Sequence, residues 1–210
     1  MARRGDLGRA EVGVSIPPAA PILLASTSPQ RRAILQQLRL PFEVVAPSYV
    51  EEDAPELRPD QVVKAHALGK ARSVAGLAGG RPVLGLDTAV VLDGAVFGKP
   101  EGPGQAEQML EALSGRIHDV ISGLCLLTDA WEEVESETTS VTFRLLTPRD
   151  IAAYVAAGEW EGRAGAYAIQ GLGAGLVERV EGDYLNVVGL PAALLVRLLS
   201  ERFAGTYGFG

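Results

Sequence analysis

The stretch from Pro21 to Leu35 constrains this chain more than any other. Ile22-Leu23-Leu24-Ala25 is a short apolar run that reads as a buried strand. Ser28-Pro29 then gives a helix start, with a hydroxyl at the N-cap and proline at the first helical position. Ile34, Leu35 and Leu38 supply one apolar face for that helix. Between cap and face stand Arg31 and Arg32, in the first turn, where the helix dipole disfavours cations. Two readings fit them. Either both point into water, or a phosphate resolves the conflict by drawing free N–H groups and guanidinium groups onto itself.

The strand read over Phe42–Ala46 runs into Glu51-Glu52-Asp53. Such an acidic run is either a solvated loop or a source of carboxylate ligands for a divalent cation. Pro59-Asp60 opens a helix to about Leu77, on which Val63, Ala67, Val74 and Leu77 share a face. Lys70 falls within that apolar stripe. It either snorkels to the rim or reaches into a cleft where an anion stabilises it, and the cleft is the reading taken here.

Val83 to Leu92 is the most apolar strand, followed by the tight-turn signal Asp93-Gly94 and a returning partner, Ala95-Val96-Phe97. Asp87 lies inside it with apolar strand on both sides. A lone buried carboxylate is costly, so this one needs a metal, a lysine or solvent, and a functional role is the better reading. The hairpin delivers a second constrained lysine, Lys99, in Gly98-Lys99-Pro100. Farther on, helices are predicted over Gln105–Leu113, Pro148–Ala157 and from Pro191 onward, and strands over Val120–Leu127, Thr138–Leu146 and Leu176–Val180. The acidic link from Asp129 to Glu137 reads as a solvated hairpin connection. Gly171, Gly173 and Gly175 have the wrong spacing for a dinucleotide fingerprint, and the segment after them reads as strand.

A formal charge of −7 argues against non-specific nucleic-acid binding but not against a polyphosphate, which needs only a local positive cluster. The lone Cys125 lies in an apolar run and reads as core packing. His66 and His118, far apart in sequence, make a zinc site improbable. No apolar run is long enough to span a bilayer, and the N-terminus lacks the apolar region of a secretory signal. The expectations are therefore no nucleic acid, no membrane and, by default, a cytoplasmic location. Residues 1–20 read as a flexible tail ending near Pro17-Pro18, and residues 21–210 as a single domain.

Leu24-Ala25-Ser26-Thr27-Ser28-Pro29-Gln30-Arg31 resembles the signature that opens the Maf family of nucleotide pyrophosphatases. Gly85-Leu86-Asp87-Thr88 with Gly98-Lys99-Pro100 matches that family's central block. Leu113 to His118, Ala164 to Gly171 and Asn186 to Pro191 match its later motifs. The resemblance spans about residues 21 to 200. It implies an α/β fold with a mixed twisted sheet flanked by helices, in two lobes with a central cleft, similar to the inosine triphosphatase fold. The activity it implies is hydrolysis of nucleoside triphosphates to monophosphate and pyrophosphate with a divalent cation, Mg²⁺ or Mn²⁺. A homodimer is compatible with it.

Carried over residue by residue, Asp87 is the proton acceptor. Ser26, Ser28, Arg31, Lys70 and Lys99 line the phosphate site, and Glu51 with Asp87 holds the metal. Sequence does not separate base from metal ligand for Asp87. The Asp-Thr of the central block and the late Ile-Gln-Gly are those of the branch acting on dTTP and UTP. Another branch, acting on 7-methylated GTP, has Asp-Gln and Ser-Glu-Gly. This chain departs from the first branch at Gln30, where arginine is common, and at Arg163, where lysine is usual. Base selection is assigned to Gln30, Thr88 and Gln170. The Gln170 amide, read at a strand end before a glycine-rich turn, suits the O4 and N3–H edge of uracil or thymine. Thr88 follows Asp87 in a strand and so faces the opposite side, acting through its backbone or from a distorted strand end. Two other functions fit the same motifs: a nucleotide-sensing regulator of cell division without turnover, and a house-cleaning pyrophosphatase for modified or deaminated nucleotides.

Overall fold

The computed structural model describes residues 19–52 and 56–209. Most of the predicted tail, and Asp53, lie outside the described residues. In chain order the elements are β1 (Ile22–Ala25), α1 (Pro29–Gln37), β2 (Phe42–Val45), α2 (Pro59–Val74), β3 (Val83–Leu92), β4 (Ala95–Phe97) and α3 (Pro103–Leu113). There follow β5 (Ile117–Leu127), β6 (Glu132–Phe143), α4 (Pro148–Ala156), β7 (Val177–Glu181), α5 (Tyr184–Val188) and α6 (Ala192–Phe203). Among the described residues the strands form one seven-stranded sheet in the order β2-β1-β3-β5-β6-β7, with β4 also pairing β3. β1 runs parallel to β2 and β3, and the other pairs are antiparallel. The mixed, helix-flanked sheet is the expected α/β architecture.

Strand alternation separates two faces. On one face, Leu84, Leu86, Leu124 and Leu126 meet Ile34 and Leu35 of α1 and Leu195 of α6. Farther along that face, Val90, Leu92 and Val120 meet Leu110 of α3 and Tyr154 of α4. Each fully buried leucine is worth roughly 1.5–3 kcal/mol by area removed from water. These two clusters are the cores of the two lobes. On the other face α2 lies directly against the sheet, packing Ala67, Ala71 and Val74 on Leu23, Val83 and Cys125. Two glycines permit that approach. A Cβ at Gly85 would stand 2.1 Å from the Ala67 carbonyl oxygen, and one at Gly123 2.2 Å from that of Val63.

The cleft between the lobes follows from the way β3 is covered. Along one edge β1 pairs with Val83–Gly85 and β4 with Val90–Leu92, which leaves residues 86–89 uncovered there. The opposite edge is paired with β5 from Val83 to Val91. Asp87 and Thr88 thus stand at a gap along that edge of the sheet.

Three expectations are corrected. The acidic link is not a loop from Glu132 onward, because Glu132–Glu137 forms the first half of β6, paired with Leu127–Ser122. Arginines offset its charge: Arg72 of α2 meets Glu132 at 2.8 Å and Arg197 of α6 meets Glu135 at 2.5 Å, while Arg202 pairs with Glu133. Leu77 is 64% exposed instead of buried, since α2 ends at Val74 and tightens to a 3-10 turn over Ala75–Leu77. Finally, no strand precedes Gln170. Ala164–Ala166 and Gly171–Leu176 are 3-10 turns, and Gly165, Ala166 and Gly171 have φ of 67°, 60° and 68°, which a strand excludes.

Candidate active site

Ser26, Ser28, Gln30, Arg31, Glu51, Lys70, Asp87, Thr88, Lys99 and Gln170 all line one cleft of about 800 Å³. Its size suits a nucleotide-sized ligand. The floor begins at the β1–α1 junction. Ser28 caps α1, its Oγ accepting from the Arg31 N–H at 3.4 Å and donating to Gln30 Oε1 at 3.2 Å. Ser26 Oγ accepts from the Ser28 N–H at 3.2 Å and from the Arg31 guanidinium at 3.1 Å. Arg31 also donates to the Gly189 carbonyl at 2.9 Å and to Thr88 Oγ1 at 3.2 Å.

Among the described residues, all the side-chain hydrogen bonds of Arg31 therefore end on uncharged oxygens. Burial pushes its pKa below the ordinary value, with Asp87 and Glu51 working the other way, and the group remains a cation. Its charge is fixed in direction and not cancelled by direct contact with an anion. Arg32, by contrast, is exposed. The two arginines thus part company: Arg31 lines the cleft and Arg32 points to water.

The other wall is built by α2. Lys70 reaches into the cleft, not to the rim, with its ammonium 2.6 Å from Asp87 Oδ1 and 2.6 Å from Glu51 Oε1. Close to Glu51 in the chain, the Tyr49 ring packs on Gly69, where a Cβ would stand 2.3 Å from Tyr49 Cε2. Burial alone would raise the Glu51 pKa, but the hydrogen bond and charge of Lys70 hold it below the usual value. The other carboxylate oxygens face His66, whose Nδ1 is 3.5 Å from Asp87 Oδ2 and 4.0 Å from Glu51 Oε2. One donor atom from each of Glu51, His66 and Asp87 lies within 4.8 Å of the other two, a mixed oxygen and nitrogen set of the kind that fits a divalent cation.

Thr88 does face away from Asp87, as alternation requires, but no strand distortion is involved. It lines the cleft with its side chain because the β3 edge is open there, and its Oγ1 is 2.9 Å from Ser122 Oγ. Lys99 and Gln170 are exposed on the second lobe. The turn bearing Lys99 is tied to the 164–166 turn by the hydrogen bond from Gly165 N–H to the Gly98 carbonyl, at 3.1 Å. Arg163 shares that wall, and its buried Nε has no hydrogen-bond partner among the described residues.

Sequence reasoning missed three contributors. Distance from His118 argues against zinc but hides the spacing of four between His66 and Lys70, which puts both on one helix face. Ser122 depends on strand register, which places it opposite Thr88. The Gly189 carbonyl depends on α5, a five-residue helix capped by Asp183.

Comparison with known proteins adds a family. The Maf-like protein family matches residues 21–202. The chain is 48% identical over 180 residues to the dTTP/UTP pyrophosphatase of Gloeobacter violaceus, covering 86% of this chain and 95% of that one. It is 49% identical over 182 residues to the dTTP/UTP pyrophosphatase of Moorella thermoacetica, covering 85% and 93%. The protein of the same description from Methanosarcina mazei is 43% identical over 183 residues, covering 86% and 93%.

Proposed function

The chain belongs to the Maf-like family, and from that premise we propose that it hydrolyses dTTP and UTP to the nucleoside monophosphate and pyrophosphate. One observation supports a polyphosphate substrate above all others: Arg31 is partly buried at the floor of the cleft and, among the described residues, its side chain hydrogen-bonds only to neutral oxygens. Residues 21–210 act as one catalytic unit. The substrate is small and soluble, and neither nucleic acid nor a membrane enters the reaction. Among the described residues no helix is long and apolar enough to cross a membrane.

Ser26, Ser28 and Arg31 bind the phosphates at the start of α1, where backbone N–H groups and the dipole favour anions. Lys70 and Lys99 offset the charge that builds on the phosphate oxygens, and Arg163 adds a further cation along the second lobe's wall of the cleft. Asp87 receives the proton of the water that attacks the α-phosphorus, or holds the cation that activates that water. Lys70 holds its Oδ1, which leaves Oδ2 for either role. Glu51, with Asp87 in the second of those roles, would hold the divalent cation. When bound, that cation screens the triphosphate and promotes ionisation of water. Gln170 reads the O4 and N3–H edge of the pyrimidine, with Gln30 as a further amide. Thr88 contributes by holding Arg31 in place.

The test is a panel of dTTP, UTP, CTP, ATP, GTP and 7-methylated GTP with Mg²⁺ or Mn²⁺ in ¹⁸O-labelled water. The expected result is the highest kcat/KM for dTTP and UTP, pyrophosphate as product, and label in the monophosphate. Orthophosphate as product, or a purine triphosphate at the head of the panel, overturns the reading.

A further inference from the structure

The two carboxylates of the cleft are used unequally. Each gives one oxygen to Lys70, at 2.6 Å, and turns the other towards the imidazole of His66. On the far side of the ring, Nε2 lies 3.3 Å from the carbonyl oxygen of Glu52. A carbonyl only accepts, so Nε2 carries a proton. In the neutral ring Nδ1 is then a bare lone pair aimed at two anionic oxygens. That arrangement is repulsive unless something positive stands among the three atoms.

A proton on Nδ1 is one candidate, but its separations of 3.5 and 4.0 Å from the carboxylates are beyond a good hydrogen bond. For a cation the same separations are close to what is needed. Two donors held about 2.1 Å from an ion at right angles lie about 3 Å apart, within reach of small side-chain adjustments. The Glu52 carbonyl supplies the outer partner that fixes the tautomer of a metal-bound histidine. The Tyr49 ring, with its centroid 5.8 Å from that of His66, packs the imidazole from the side.

We propose that His66 is a direct ligand of the divalent cation, and that its nitrogen biases the site towards Mn²⁺ over Mg²⁺. This rests on reading Glu51 and Asp87 as the metal carboxylates. Mg²⁺ prefers an all-oxygen shell, whereas a borderline transition ion accepts imidazole readily.

Pulsed electron paramagnetic resonance tests this on the whole protein, loaded with Mn²⁺ and the α,β-imido analogue of dUTP. The wild type is expected to show ¹⁴N coupling from a bound imidazole, and His66→Gln and His66→Leu to lack it. By calorimetry, both substitutions should weaken Mn²⁺ binding about tenfold or more. Mg²⁺ binding should change less than about threefold. Circular dichroism checks that both variants are folded. Mn²⁺ bound without nitrogen coupling in the wild type, equal losses for the two ions, or no Mn²⁺ binding at all overturns the assignment. Pyrophosphate release from dTTP by the Mg²⁺-loaded wild type separates the two claims. Turnover without nitrogen coupling removes His66 alone, and coupling without turnover removes the pyrophosphatase reading alone.

Discussion

Lys70 donates to Asp87 Oδ1 across 2.6 Å, joining the C-terminal third of α2 to the middle of β3. Both side chains are largely shielded, at 12% and 14% exposure, while Glu51 on the other side of the ammonium is about half exposed. Lys70→Met keeps the volume but leaves two carboxylates facing each other without a cation. Breaking a fully buried pair costs roughly 3–5 kcal/mol, and solvent screening at Glu51 brings the expectation here down to about 1–3 kcal/mol. Melting at pH 7 should reveal that loss, together with a fall in kcat/KM. An unchanged melting temperature and unchanged kinetics would show that the ammonium does neither job.

Asp87→Asn preserves shape and removes the charge. Loss of a positioned base costs about 100- to 10,000-fold in rate, and kcat for dTTP should fall within or beyond that range. The circular dichroism spectrum should match the wild type, since an amide can still accept from Lys70 through its oxygen. Retention of half the wild-type kcat would exclude Asp87 from proton transfer.

Base selection is expected to depend on Gln170, which reaches the cleft from a turn and not from a strand. Gln170→Ala should lower kcat/KM for dTTP and UTP by about tenfold or more, the worth of one lost polar contact to the base. ATP turnover should hardly move, so the pyrimidine-to-purine ratio is the readout. An equal loss for all nucleotides would place Gln170 outside base recognition.

Local signals in the sequence located the parts of the site that sit on regular elements. The Ser28-Pro29 cap positions Arg31, a lysine inside an apolar stripe marks Lys70, and an aspartate inside an apolar strand marks Asp87. What stayed illegible depends on contacts distant in sequence. The strand character of Glu132–Glu137 comes from pairing with β5 and from arginines on α2 and α6, against its local composition. The turns around Gln170 come from left-handed backbone at Gly165, Ala166 and Gly171. His66 shows its role only when the loop carrying Glu51 folds back onto α2.

The second lobe contains a buried histidine that should make stability depend on pH. His118 is 2% exposed, with Nε2 2.8 Å from the Tyr167 hydroxyl and Nδ1 without a partner among the described residues. Burial lowers its pKa from 6.5 to about 4, against a smaller opposing effect of Asp119. The unfolded chain therefore binds the extra proton first. This group's contribution is fully present above pH 6.5, falls as pH drops from 6.5 towards 4, and changes little below that. A shift of this size corresponds to about 3 kcal/mol. Urea unfolding across that window should show His118→Asn with a shallower loss of stability on acidification than the wild type. Parallel curves would mean that His118 is not held neutral.

The last prediction concerns the seat of α2, because Lys70 and His66 are only as well placed as that helix. Gly123 of β5 stands opposite Asp87 of β3, and a Cβ there would meet the Val63 carbonyl oxygen at 2.2 Å and the Lys64 nitrogen at 2.7 Å. Both atoms are helix backbone, so no side chain can rotate aside, and Gly123→Ala must lift the first turns of α2 off the sheet. Overpacking of this kind costs about 1–3 kcal/mol. The displacement also separates Lys70 from Asp87, so kcat should fall even at temperatures where the variant is fully folded. Gly94→Ala is the control. Gly94 has φ of 81° but nothing within 4 Å of its Cβ position, in the hairpin turn away from α2. It should lose stability through backbone strain while keeping its kcat when folded. If Gly123→Ala also kept full turnover in the folded state, the close seating of α2 would be structural only, without consequence for the geometry of the lysine and the aspartate.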